Sequence, residues 1–248
     1  MLNLLLALFL VLPFGKPKLS DEWENRVYLA SFPGSGNHWL RYMLEEATQI
    51  ATSSVYSDPE YGQHAVSIIF PWGGYCCDHG YNHRCKYPEK GDYFVVKTHS
   101  PIFPNPLDHF PYKLTIRLVR HPVDCFYSFY TWNPFSKPLD PPPKESLPRE
   151  LLHYYIELWR NFELHWNAKP NVLTIRYEDL MERQEETFRK ILEAIPFNVG
   201  EKMIKQAIYK YPPEGKVLKH LHRYSEEDLR ILDEELGPLM EPYGYRLN

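Results

Sequence analysis

The segment RVYLASFPGSGNHWLRYMLE, residues 26–45, constrains this chain more than any other stretch. Residues 26–31, RVYLAS, mix β-branched, aromatic and aliphatic side chains without a helical repeat, which predicts a buried strand ending at Phe32. Pro33, Gly34, Ser35 and Gly36 break the run, and Trp39, Leu40, Met43, Leu44, Ala47 and Ile50 follow at helical spacing. A strand, a glycine-rich turn and an amphipathic helix bury their apolar faces by packing the helix on the strand's own sheet. Gly34 and Gly36 let the backbone approach a ligand with its N–H groups turned outward, and the helix adds its positive N-terminal end, so the turn can cradle a phosphate-like anion. A Walker loop needs Lys and then Ser or Thr after its last glycine; here Asn37 and His38 follow, and an ordinary tight turn is the competing reading.

The same alternation runs through the rest of the chain. YFVVK (93–97) predicts a second strand, ended by Thr98, His99, Ser100 and Pro101, and LTIRLV (114–119) a third. Pro122 suits the first turn of a helix reaching about Trp132. Leu152, Tyr155, Ile156, Trp159, Phe162 and Trp166 mark an amphipathic helix, and VLTIRY (172–177) predicts the fourth strand. Phe188, Ile191, Leu192 and Ile195 set the next helix, another is expected near 200–210, and Ser225 with Asp228 reads as the capped start of a last one carrying Leu229, Leu232, Leu236, Leu239 and Met240 inward. Residues 51–90 read as an irregular surface excursion, and 133–148, with six prolines, as a loop. The pattern predicts a three-layer α/β domain over 19–248: a central parallel sheet with helices on both faces and a phosphate-binding loop after the first strand. Sites in such sheets lie at the carboxyl ends of the strands, which here carry FPGSGNHW, KTHSP, RHPVDCFYS and YEDL.

Composition narrows the class. Apolar residues make up 44% of 248 and charged residues 24%, which excludes a disordered chain and a polytopic membrane protein. The net charge of −4 argues against broad nucleic-acid binding while leaving room for a local anion pocket. Leu2–Phe14 is almost wholly apolar but too short to span a bilayer as a helix, so residues 1–18 read as a signal or a short signal-anchor; a buried N-terminal strand is the alternative. Cys76, Cys77 and Cys85 share the segment CCDHGYNHRC, where Cys85 pairs with Cys76 or Cys77 in an oxidising compartment, or all three stay thiols. Zinc on these cysteines with His79 and His83 is the weaker reading, because paired-Cys spacing is missing.

Taken together, the four strand-end segments resemble the sulfotransferase family, whose members move a sulfonate from 3′-phosphoadenosine 5′-phosphosulfate (PAPS) to an acceptor. SFPGSGNHWLRYMLE resembles the family's 5′-phosphosulfate loop, KTHSP its Lys-Thr-His-x-Pro segment, and RLVRHPVDCFYSFY its 3′-phosphate motif, while YEDL recurs at the fourth strand. The nearest resemblance is to the secretory WSC-domain-containing sulfotransferases.

The resemblance implies roles position by position. Ser35, Gly36, Asn37 and His38 surround the 5′-phosphate, Trp39 packs on adenine, Arg120 and Ser128 hold the 3′-phosphate, and Tyr177 lies on the nucleotide side. Core packing competes for Trp39 and Tyr177, and a surface ion pair with Asp124 competes for Arg120. In the loop 211–224, Lys216, Lys219 and Arg223 correspond to a basic segment that closes over the cofactor; a solvated basic stretch is the alternative. His99 corresponds to the general base, suited by an ordinary pKa near 6.5, and Lys97 to the group that stabilises charge on the bridging oxygen. Gly34 departs from the many family members that carry Lys there. The implied partners are PAPS as co-substrate, without a metal, and a hydroxyl acceptor, foremost a glycan in the Golgi, with membrane association through the N-terminus. A catalytically inactive nucleotide- or glycan-binding relative and a cytosolic small-molecule sulfotransferase are the alternatives.

Overall fold

The computed structural model describes residues 25–55, 74–75, 85–86, 88, 91–103, 112–131 and 146–247. Residues 1–18, read above as a signal, Cys76, Cys77, His79, His83 and the stretches 104–111 and 132–145 lie outside the described residues. Among the described residues, six strands form one sheet: β1 (Arg26–Ser31), β2 (Ser53–Ser54), β3 (Gly74–Tyr75), β4 (Phe94–Thr98), β5 (Leu114–Val119) and β6 (Val172–Arg176). Their spatial order is β3-β2-β4-β1-β5-β6, with every pair parallel except β2 with β3. The helices are α1 (Asn37–Thr48), α2 (Pro122–Thr131), α3 (Arg149–Asn167), α4 (Tyr177–Glu182), α5 (Gln184–Ala194), α6 (Glu201–Lys210) and α7 (Glu226–Met240).

Period-two alternation in the strands divides the core into two halves. Val27 and Leu29 of β1, with Val95, Ile116, Leu118 and Ile175, face Leu40, Met43 and Leu44 of α1 and Phe188, Ile191 and Ile204 of α5 and α6. Tyr28, Ala30, Phe94 and Val96 point the other way, onto α2, α3 and α7, where Phe126, Trp159, Phe162, Leu232 and Leu236 are fully buried. The three-layer α/β sandwich expected from the sequence is therefore present. The α3 stripe read from the sequence is the buried face of that helix, and Ser225 with Asp228 forms a reciprocal capping box at the start of α7.

Three details differ from the sequence reading. β4 runs one residue further, to Thr98, because Thr98 pairs with Ala30 of β1. β6 ends at Arg176, and Tyr177 opens the short helix α4. The stretch 51–90 is not wholly a surface excursion: Ser53 and Ser54 are buried and add a parallel strand beside β4. Two small polar residues carry no periodic signal, so only the neighbouring ladder makes them a strand. A buried network secures this edge: Arg41 Nε donates to Thr52 Oγ1 at 2.8 Å, and the Glu45 carboxylate accepts the Thr52 hydroxyl and N–H at 2.6 and 2.9 Å.

Candidate active site

β1 sits between β4 on one side and β5 on the other, so the strand order reverses around it and the carboxyl ends of these three strands frame a crevice. A cavity of about 220 Å³ opens there, lined by Gly34, Gly36, Asn37, His38, Lys97, His99, Arg120 and Ser128. The floor is the turn after β1. Gly34 and Gly36 hold φ of +80° and +87°, a conformation that glycine adopts without steric cost. A Cβ on Gly34 would lie 2.7 Å from the Cys125 carbonyl oxygen, so the loop lies directly on α2 and no side chain fits there. Gly36 caps α1 with no side-chain hydrogen bond, which leaves that helix's first N–H groups pointing into the turn.

Arg120 closes one wall. It is 4% exposed, donates from Nη1 to the Gly34 carbonyl at 2.8 Å, pairs with Asp124 at 3.4 Å and lies 4.3 Å from the Tyr177 ring centroid. The pair with Asp124 is thus real but buried, and Arg120 lines the cavity at the same time. Tyr177 wedges between Arg120 and Gly36, where a Cβ would meet its ring at 2.5 Å. Trp39 meets Tyr177 edge-on at 5.7 Å and donates its indole N–H to the Tyr211 carbonyl at 3.0 Å, outside the cavity lining. Ser35 is fully buried behind the loop.

The opposite wall comes from β4. Lys97 is 3% exposed, with Nζ 3.4 Å from Nε2 of His38 in the first turn of α1. His99 lies two residues on. Its Nδ1 is 2.6 Å from the Ser31 carbonyl oxygen, an acceptor only, so Nδ1 carries the proton and Nε2 the lone pair. Asn37 Nδ2 donates to Ser31 Oγ at 3.1 Å, tying the glycine turn to the same strand end. Burial, followed by the charge of Lys97, pushes the His99 pKa down to about 3, against a weaker opposing effect of the Ser31 hydrogen bond. The imidazole is therefore neutral across the physiological range. The site sets a neutral imidazole beside the buried Lys97 side chain and, across the cavity, the buried Arg120 guanidinium.

The sulfotransferase domain model matches residues 24–235 of this sequence. The chain belongs to the sulfotransferase domain family. A WSCD family member of Aedes aegypti is 30% identical over 245 residues, 91% of this chain and 68% of its own. WSCD family members of Drosophila pseudoobscura and Drosophila melanogaster are 30% and 29% identical over 188 residues, 73% of this chain. The chain spans about half the length of these two relatives, 53% of each. Among solved structures, mouse sulfotransferase SULT7A1 complexed with PAP superposes with a TM-score of 0.56 at 17% identity, covering 88% of this chain and 84% of that one. Retinol dehydratase in complex with androsterone and inactive cofactor PAP superposes at 0.54 and 14% identity, covering 90% and 82%. These two share the fold of this sulfotransferase domain.

Of the residues singled out in the sequence, Gly36, Asn37, His38, Lys97, His99, Arg120 and Ser128 converge on the cavity. Tyr177, Trp39 and Ser35 stand behind it as supports. Lys216 is exposed and outside the lining. Lys219 and His220 of that segment also lie outside the lining, and desolvation, with the Arg120 charge among the further causes, lowers the pKa of both. The segment is pinned to α2, with the His220 N–H donating to Asp124 at 3.0 Å, the His220 ring 4.6 Å from that of Tyr127, and Arg223 over the same tyrosine at 5.5 Å. Sequence reasoning missed Ser31, whose carbonyl orients the His99 ring, because a backbone acceptor leaves no trace in residue type. It also missed that Asp124 serves both Arg120 and the strap; the i,i+4 spacing to Arg120 was the only visible signal.

Proposed function

We propose that this sulfotransferase domain transfers a sulfonate from PAPS to a hydroxyl group of a glycan within the secretory pathway. The observation that carries the reading is the placement of His99, with Nδ1 committed to Ser31, in one cavity with Lys97 and a glycine cradle at a helix N-terminus. The residues fit the nucleotide. The buried Ser35 Oγ, Asn37 Oδ1 and Arg120 Nε have no hydrogen-bond partner within the protein, and the two positive-φ glycines leave room for phosphate oxygens against the backbone. The turn 34–38 would hold the 5′ end and Arg120 with Ser128 the 3′-phosphate.

When bound, PAPS supplies the activated sulfonate. The protein's own part is to hold the neutral His99 ready to take the acceptor's hydroxyl proton at Nε2, with the ring's tautomer set by Ser31. Lys97 keeps a positive charge in the cavity wall, where negative charge grows as the sulfonate leaves. Support for the secretory pathway and a glycan comes from the apolar stretch Leu2–Phe14. No helix among the described residues is long and apolar enough to cross a membrane. A second reading, a small apolar acceptor, is favoured by Phe103, whose ring stands edge-on to His99 at 6.2 Å and to Phe129 at 6.1 Å. Transfer of labelled sulfate from PAPS to a panel of glycans, sterols and phenols tests both. Label on a glycan alone supports the first reading, label on sterols or phenols the second, and no transfer to any hydroxyl overturns the enzyme assignment.

A further inference from the structure

Glu178 follows Tyr177 in the YEDL segment, is 2% exposed and does not line the cavity. A carboxylate this deep needs donors on both oxygens. One oxygen accepts the backbone N–H of His121 at 3.0 Å, and the other accepts the Tyr245 hydroxyl at 2.5 Å. Burial raises the carboxyl's pKa while these two bonds hold it down. His121 is the residue after Arg120 and opens α2. Its carbonyl accepts the N–H groups of Asp124 and Cys125, and its Nδ1 accepts that of Val123 at 3.3 Å. The paired backbones of β5 and β6 stop at Val119 and Arg176, one residue short of Arg120 and Tyr177. Beyond that point the Glu178 bridge joins the residue after Arg120 to the residue after Tyr177. Tyr245 completes it from the C-terminal segment, its hydroxyl also 3.3 Å from the Val119 carbonyl and its ring 4.9 Å from that of His121.

We propose that Glu178 is a positioning residue for the nucleotide's 3′-phosphate: with Tyr245 it continues the β5–β6 register past the end of the sheet and so keeps the Arg120 guanidinium over Tyr177 at the cavity wall. This rests on the assignment of the 3′-phosphate to Arg120 made under Proposed function. Without the bridge, the turn carrying Arg120 and the start of α4 carrying Tyr177 can separate, and the guanidinium loses the ring that fixes its plane. The 3′-phosphate contact should suffer more than the adenosine 5′-phosphate contacts, which depend on the glycine turn and α1.

The test is the ratio of affinities for 3′-phosphoadenosine 5′-phosphate and adenosine 5′-phosphate, measured by calorimetry on Glu178→Ala, Glu178→Gln and Tyr245→Phe, with the melting temperature of each. The wild type should prefer the 3′-phosphorylated nucleotide. Glu178→Ala should lower that preference about tenfold and Tyr245→Phe about threefold, the range expected for the net loss of ordinary hydrogen bonds. Glu178→Gln should fall between them, because its amide oxygen still accepts from one of the two donors. A merely structural role would lower the melting temperature and leave the ratio alone, and an unchanged ratio in the folded variants overturns the proposal. Tyr245→Phe keeps its ring packing, so it decides the matter if Glu178→Ala does not fold. A wild type with no preference at all overturns the assignment of the 3′-phosphate to Arg120 instead.

Discussion

At the scale of single residues, the base proposed at His99 would make one contact serve structure and chemistry together. Its bond to the Ser31 carbonyl is the kind a purely architectural histidine would make, yet that bond also sets the tautomer a base requires. Burial beside Lys97 lowers the His99 pKa to about 3, so a base at this position would need no pH-driven switch. The sign follows from the direction: a folded pKa of about 3 against an ordinary 6.5 means that acidification charges His99 in the unfolded chain first, which opposes folding as pH falls through that window. An NMR titration of the nucleotide-free protein should therefore show the His99 ring neutral at pH 5, and a midpoint near 6.5 would remove this account of the site. His99→Ala should lower the transfer rate by about 10²–10⁴, the usual contribution of a positioned base, and leave nucleotide affinity nearly unchanged. Turnover and melting temperature measured on one preparation separate lost chemistry from lost fold, and normal turnover per folded molecule would reassign His99 to structure.

Among the elements, the contact between the glycine turn and α2 governs the site. A side chain at the position of Gly34 would need space that the Cys125 carbonyl occupies. A backbone oxygen cannot swing away as a side chain can, so the turn and α2 must part before any larger residue enters. Gly34→Ala and Gly34→Lys should both weaken nucleotide binding and lower stability by about 1–3 kcal/mol or more, from the left-handed backbone alone. Gly215→Ala is the control: Gly215 holds φ +86° with nothing within 4 Å of a Cβ, so it carries only the backbone cost. Thermal unfolding of the three variants measures the difference. A Gly34→Ala protein no less stable than Gly215→Ala would show that the close packing on α2 contributes nothing.

For the molecule as a whole, the site is assembled from distant parts of the chain: the turn at 34–38, the residues 97–99 at the end of β4 and the β5–α2 junction at 120–128, with the segment 219–223 pinned to α2 behind it. A nucleotide that bridges these parts binds the folded state alone and stabilises it by mass action. With 3′-phosphoadenosine 5′-phosphate at a hundred times its Kd, that gain is about 2.7 kcal/mol. For a domain of this length it corresponds to a rise of about 5–10 °C in melting temperature. Differential scanning fluorimetry against adenosine 5′-phosphate at the same multiple of its own Kd should give a similar rise, whereas no rise with either nucleotide would mean that the cavity does not take them.

Sequence alone determined the alternation of strands and helices, because period-two and helical patterns in RVYLAS, LTIRLV and the α3 stripe leave few other ways to bury their apolar faces. It also placed His99, Lys97, Arg120 and the glycine turn at strand ends, and in a parallel sheet strand ends meet at one rim. What only the tertiary structure decided is which neighbours those residues acquire. The two-residue strand at Ser53–Ser54 forms because β4 offers it a ladder, not because its residues favour one. Gly34 proves to be closed by α2, Asp124 shared between Arg120 and the strap, and Glu178 joined to Tyr245, 67 residues away. Apart from the i,i+4 pair of Arg120 with Asp124, each of these is a contact between segments far apart in the chain, where no local pattern of residue types carries the information and packing alone selects the partner.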